Sequence, residues 1–251
     1  MMIAFVTGAT AGFGAAIVRR FVQEGHRVVA LGRRADRLEA LRAELPAGSV
    51  HIVERDVRDN AAVEQVVASL PADFAAVDVL VNNAGLALGL EGADKALLDD
   101  WERMVDTNIK GLMYVTRALL PGMVARGRGH VLNLGSVAGA YPYPGGNVYG
   151  GTKAFVRQFS LNLRADLVGK NIRVTDIAPG LSSGTEFSQV RFHGDEGKAA
   201  KVYEGTQSLQ PEDIAESVYW AASLPAHVNI NIIELMPVTQ AFSPFAVVRE
   251  G

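Results

Sequence analysis

Thr7-Gly8-Ala9-Thr10-Ala11-Gly12-Phe13-Gly14 decides the fold of this chain. The stretch follows an apolar, β-rich run, Ile3–Thr7, and opens a helix-like segment over 14–23. Its spacing is Gly-x3-Gly-x-Gly. Glycine tolerates the left-handed backbone of a tight turn and lets main chain come close to a bulky anion. The helix N-terminus just beyond offers free N–H groups and the positive end of the helix dipole. Placed between a first strand and a first helix, such a loop predicts a dinucleotide site on Gly8, Thr10, Gly12, Phe13 and Gly14.

Outward from that loop, the pattern repeats. Strands are expected at 3–7, 27–31, 50–54, 77–81, 130–134, 172–177 and 230–235, several of them continuous apolar runs, as strands covered on both faces should be. Helices are expected at 14–23, 35–45, 61–70, 97–124 (two helices with a bend at 108–111), 149–167 and 211–224. Six strand–helix alternations predict a doubly wound parallel α/β sheet of about seven strands with helices on both faces. The 251 residues show no composition break, repeat or low-complexity linker, so one domain is expected over 1–251. Only 181–210 breaks the alternation: it is polar, glycine-spaced and without a clear period, as a binding loop at the carboxyl ends of the strands would be. The tail after 237 reads as irregular.

Composition removes several classes of function. Lys plus Arg is 24 and Asp plus Glu 27, a formal charge of −3, which lacks the basic excess of a nucleic-acid binder. Cysteine is absent, so disulfides, thiolate metal sites and a cysteine nucleophile are excluded. The five histidines have no ligand spacing, and no metal is expected. The apolar start has no basic n-region and no run approaches a membrane span, so a cytoplasmic protein is expected. Gly151-Thr152-Lys153 runs in the wrong order for a nucleotide-hydrolysing loop, and Gly135-Ser136-Val137-Ala138-Gly139 is not a hydrolase elbow.

The end of the second strand selects the cofactor. A carboxylate there would bind an adenosine ribose 2′-hydroxyl. This chain has Leu31-Gly32-Arg33-Arg34 instead, and two guanidiniums suit a 2′-phosphate, so NADP is expected over NAD. Asp56, with Val57 beside it, follows the third strand; it is a candidate acceptor for the adenine amino group or an N-cap for the next helix. Farther on, Tyr149 and Lys153 are four apart, one helical turn on one face. A phenol ordinarily titrates near ~10. An adjacent ammonium favours the phenolate, so the pair makes a tuned acid/base. Ser136 ends the fifth strand, where its hydroxyl can reach a carbonyl oxygen. Asn82-Asn83-Ala84-Gly85 ends the fourth strand at the same rim, and Asn108 lies where the long helix is expected to bend.

Together these motifs, with Pro179-Gly180, resemble the short-chain dehydrogenase/reductase family along essentially the whole chain. The resemblance implies a tetrad. Tyr149 would be the general acid or base, and Ser136 would polarise the substrate oxygen. Lys153 would lower the phenol pKa and bind the nicotinamide ribose, while Asn108 would hold a relay water. It also implies that Asn83, Ala84 and Gly85 line the cofactor, and that Pro179, Gly180 and Thr185 contact the carboxamide. A narrower likeness, through 146–164, Gly184-Thr185-Glu186-Phe187-Ser188 and 224–231, is to bacterial and yeast NADP-dependent 3-hydroxy acid dehydrogenases, which implies serine, allo-threonine or malonic semialdehyde as substrates and a homotetramer. Ala178 and Ser182-Ser183 depart from that subgroup, and Ala11 replaces the basic residue that many NADP-binding members carry before the second glycine, which leaves the phosphate to Arg33 and Arg34. Such a substrate carries a carboxylate, for which Arg191 is the candidate partner, with Lys198 and Lys201 as rivals. A carbonyl reductase of a 3-oxoacyl thioester or ketone, and a non-catalytic NADPH-binding module, are the alternatives.

Overall fold

A computed structural model of the chain describes residues 1–242. Its elements run β1 (Ile3–Thr7), α1 (Gly12–Gln23), β2 (Arg27–Gly32), α2 (Ala35–Ala43), β3 (Val50–Glu54), α3 (Asn60–Ala68), α4 (Ala72–Ala75), β4 (Val79–Asn82), α5 (Leu98–Val105), α6 (Leu112–Arg126), β5 (Gly129–Leu134), α7 (Asn147–Asp166), β6 (Ile172–Pro179), α8 (Phe187–Arg191), α9 (Glu196–Lys201), α10 (Pro211–Ser223) and β7 (Ile232–Leu235). The seven strands form one parallel sheet in the order β3-β2-β1-β4-β5-β6-β7. Strand order reverses between β1 and β4, and a crevice opens off the carboxyl ends of strands at such a point.

Alternation along each strand divides the core in two. Val6, Val28 and Ala30 join Ile17, Phe21, Ile214 and Val218 on the face covered by α1 and α10. Phe5, Val29 and Leu31 join Val63, Val115, Leu119 and Met123 on the face covered by α3 and α6. Successive strand side chains point to opposite faces, which is why both faces of these runs are apolar. Caps set the helix starts. The Asp59 carboxylate accepts from the Ala62 amide at 3.0 Å and opens α3. Gln210 and Asp213 form a reciprocal capping box at α10, with Pro211 in its first turn.

Three expectations are refined or corrected. The long helical stretch does divide into two, α5 and α6, at the expected place, and what joins them is a π-helical turn, Asp106–Gly111. The wider turn absorbs one extra residue without breaking the rod. Gly111 makes room for it, since a Cβ there would fall 2.7 Å from Val57 Cγ2. Next, the segment 181–210, expected as a binding loop without a clear period, holds short helices. It carries α8 and α9, and a Ser182–Leu209 bridge ties its two ends together. Helices of five and six residues are too short for a period to show in the sequence. The third correction concerns Asp56, which does not cap α3; Asp59 does. Residues 236–242 are irregular, as expected, and the rest of the tail lies outside the described residues. No helix among the described residues is long and apolar enough to cross a membrane.

Candidate active site

A cleft of about 680 Å³ opens off the carboxyl ends of the strands. One end is the glycine loop. Gly8 and Gly12 have φ of 67° and 51°, backbone that side-chain-bearing residues rarely adopt. The loop is pinned from both sides. The Ala9 amide donates to Leu31 O at 3.0 Å. Thr7 Oγ1 accepts from the Asn83 and Ala84 amides, and Asn83 Nδ2 donates to Thr7 O and Gly8 O. Asn83 therefore locks the loop to the end of β4 while facing the cleft. Gly14 alone of the loop glycines lies away from the cleft wall. A Cβ there would meet Gly8 O at 2.2 Å, so its role is close helix–loop packing.

At the end of β2, Gly32 sits against Thr10: a Cβ would lie 2.4 Å from its Cγ2. The two cations follow. Arg33 is exposed and 4.0 Å from Asp56, whose carboxylate is gripped by Arg58. Arg34 donates from both terminal nitrogens to Glu186, at 3.1 and 2.8 Å, and to Thr10 Oγ1 at 3.0 Å. The hydrogen bond to Glu186 raises the Arg34 pKa, and Arg34 in turn holds Glu186 below the usual carboxylate range. A glycine cradle followed by two cations, with no carboxylate in the chain just after β2, fits a dinucleotide with a 2′-phosphate, with which Glu186 competes at Arg34. Val57, Ala84, Gly85, Pro179, Gly180 and Thr185 line the same cleft. Thr185 closes over Gly12, whose Cβ would lie 2.9 Å from Thr185 Cγ2.

The other end holds the candidate acid/base group. Tyr149 and Lys153 project from one face of α7, both buried. Burial pushes the Tyr149 phenol up to about 12, opposed by a hydrogen bond with Ser136 and by the Arg191 cation. Burial lowers Lys153 to about 8. Its ammonium donates to Leu134 O at 2.7 Å and lies 5.8 Å from the Tyr149 ring centre. Arg191 stands at 5.7 Å from the same ring centre, so two cations flank the phenol. Ser136 Oγ accepts from the Ala138 amide at 3.1 Å and opens a short 3₁₀ turn, Val137–Gly139.

Asn108 stands behind the cleft wall rather than on it. Its Nδ2 donates to Leu86 O and Thr152 Oγ1, and its Oδ1 accepts from the Leu86 amide. Arg191 does face the cleft. Its Nε donates to Gly89 O, its Nη2 to Tyr143 Oη at 2.8 Å, and its guanidinium sits 5.7 Å from the Tyr149 ring centre. Lys198 and Lys201 are not among the lining residues. Reading the sequence missed Thr152, Tyr143 and Glu186. Thr152 lies three residues after Tyr149, a spacing that could have flagged it; its hydroxyl donates to Tyr149 O at 2.8 Å. Tyr143 and Glu186 carry no spacing signal, since both reach the site across loops.

A doubly wound sheet with a glycine cradle at its switch point and a buried phenol–ammonium pair beside it defines a Rossmann-type oxidoreductase. The short chain dehydrogenase family model matches residues 2–196, and the chain belongs to that family. It is 64% identical over 248 residues to the NADP-dependent 3-hydroxy acid dehydrogenase YdfG of Salmonella typhi, covering 99% of this chain and 100% of the relative. It is 54% identical over 246 residues to serine 3-dehydrogenase of Agrobacterium fabrum, covering 98% of each. Among solved structures, it resembles the closed form of serine dehydrogenase complexed with NADP+, at a TM-score of 0.98 and 61% identity, covering 99% of this chain and 100% of that one.

Proposed function

We propose that this chain is an NADP-dependent oxidoreductase that moves a hydride between NADP(H) and a small 3-hydroxy acid such as serine, allo-threonine or 3-hydroxypropionate. The observation that carries the reading is the Arg191 guanidinium 5.7 Å from the Tyr149 ring, in one cleft with Ser136. A cation at that distance from the phenol matches a substrate whose carboxylate lies two carbons from its reacting hydroxyl. The names and the NADP+ complex of the similar proteins support it.

When bound, NADP(H) supplies the hydride chemistry at the nicotinamide ring. Tyr149 gives a proton to the carbonyl oxygen in reduction and takes it from the hydroxyl in oxidation. Ser136 holds that oxygen by hydrogen bonding, and Arg191 anchors the carboxylate. Lys153 holds the nicotinamide ribose, stabilises the phenolate by its charge and passes protons toward a water beside Asn108. Gly8, Thr10, Gly12 and Phe13 would cradle the pyrophosphate, with Gly14 packing beneath them. Arg33 and Arg34 would pair with the 2′-phosphate. Asp56 and Val57 would hold the adenine, Asn83, Ala84 and Gly85 the adjoining ribose, and Pro179, Gly180 and Thr185 the carboxamide. The proposal includes a cytoplasmic homotetramer, which sedimentation and cell fractionation test.

The deciding experiment assays NADP+ reduction with serine, allo-threonine, 3-hydroxypropionate and 3-hydroxyisobutyrate in parallel, for the wild type and Tyr149→Phe. Turnover should fall by about a thousand-fold in the variant. NADPH binding, read by fluorescence, should persist. Retained turnover, or no activity on any of the four acids in the wild type, would overturn the reading.

A further inference from the structure

Beneath the candidate site lies a buried carboxylate that the proposed chemistry does not use. Asp176 sits in β6, paired with Asn133 of β5 on one side and Ile232 of β7 on the other. It is 1% exposed, and its Oδ1 makes no hydrogen bond. Buried ionisable groups are costly when left unpaired, so an inert position would be apolar or fully hydrogen-bonded. The chain also makes space for it. Gly135, the residue before Ser136, faces the carboxylate so closely that a Cβ would fall 2.2 Å from Asp176 Oδ1.

The charges around Asp176 come from three elements. From α7, Lys153 and Arg157 face it, one helical turn apart. From β7, Glu234 faces it, 3.7 Å from Arg157 and within hydrogen-bond reach of Tyr141 Oη at 3.0 Å. From the end of β5, the Gly135 amide favours its ionised form. The Lys153 ammonium is held at the carbonyl of Leu134, the residue before the Gly135 that packs on Asp176, and the Asp176 carboxylate raises its pKa against burial. Burial lifts the Asp176 carboxyl to about 6, with Lys153 and Arg157 pulling it back down. Arg157 Nη1 is itself buried without a hydrogen-bond partner. Glu234 and Arg157 thus pair at 3.7 Å on one side of the Asp176 carboxylate, while Lys153 is held at Leu134 O, next to the Gly135 that packs on that carboxylate. Tyr149 has Ser136, Tyr143 and Arg191 as its own neighbours.

We propose that Asp176 is a positioning residue of this site: its buried carboxylate, packed on Gly135 behind the Leu134 carbonyl that holds the Lys153 ammonium, is the counter-charge of that ammonium, and Arg157 moderates it. The proposal rests on the reading of Tyr149 and Lys153 given above. Loss of the carboxylate favours loss of a proton from the Lys153–Tyr149 couple; loss of the Arg157 charge opposes it.

The test is the pH profile of kcat/KM in the reducing direction, in which the active form keeps both protons of the couple. Asp176→Asn preserves shape and removes charge, and should move the alkaline limb down by about one pH unit. Arg157→Gln should move it up by about half a unit, and Arg157→Lys should restore it. The opposite signs separate an electrostatic role from a structural one, and the arginine variants decide the matter even if Asp176→Asn fails to fold. Alkaline limbs that superimpose on the wild type, with at most a uniform loss of rate, would overturn the proposal. Should that happen while Tyr149→Phe is inactive, the role of Asp176 falls and the reading of Tyr149 stands. An active Tyr149→Phe would sink both.

Discussion

Arg191 ties the 181–210 segment down and faces the candidate site at once, since Nε and Nη2 reach Gly89 and Tyr143 while the guanidinium overlooks Tyr149. A bidentate partner for a small carboxylate contributes to ground-state binding more than to the chemical step. Arg191→Ala should therefore raise KM for serine by about ten-fold, roughly 1.4 kcal/mol, with NADP+ affinity unchanged. An unchanged KM in steady-state kinetics would remove Arg191 from substrate binding. At this scale, what could be read from the sequence was what lies along one turn or one motif: Tyr149 with Lys153, the glycines of 8–14, Ser136 at a strand end. Asp176, Glu186 and Tyr143 escaped notice because their partners are brought in by the fold. Arg34 meets Glu186 across 152 residues of chain. Arg157 of α7 meets Glu234 of β7 beside Asp176 through the packing of a helix on a sheet.

Among the elements, the strands were read nearly to the residue, because parallel strands buried on both faces leave apolar runs that nothing else in the chain imitates. The fourth starts at Val79 rather than 77 and the seventh at Ile232 rather than 230, although the backbone of Asp78 already bonds to Ile3 O and to the His130 amide on either side. The loop of 181–210 was read as an insertion, but not as one strapped across the cleft. Glu186, at the foot of α8, reaches the end of β2 and grips Arg34, with Arg37 3.8 Å away. Both side chains are more than a third exposed, so the pair is worth ~1 kcal/mol or less in stability. Its effect should appear in cofactor retention instead. Glu186→Gln is expected to raise the Kd for NADP+ by about five-fold, as read by fluorescence titration. A Kd equal to the wild type's would show that the strap does not hold the loop down. Sequence gives no hint of this contact, since a lone glutamate beside Thr185 reads as solvated surface.

Across the whole molecule, one buried imidazole links pH to folding. His130 in β5 is 2% exposed; its Nε2 is 2.8 Å from Thr175 Oγ1, and its Nδ1 has no partner. Burial holds its pKa well below 6.5. Below that value the unfolded chain binds a proton there and the folded chain does not, so this contribution is full above pH 6.5 and is lost on acidification. His26 and His51 are lowered too, also chiefly by burial. Denaturant unfolding should show stability falling from pH 6.5 toward 5, and His130→Gln should flatten the slope by about 1.4 kcal/mol per pH unit. An unaltered slope would place the acid sensitivity elsewhere. Geometry at this scale has a practical side as well. Every strand enters the sheet at one edge and delivers its carboxyl end to the cleft at the other, and β1 begins at Ile3, directly after an exposed Met1. Five strand residues, roughly 17 Å, part the two rims. A tether grafted ahead of Met1 would thus anchor the molecule to a bead or electrode with its mouth facing the bath.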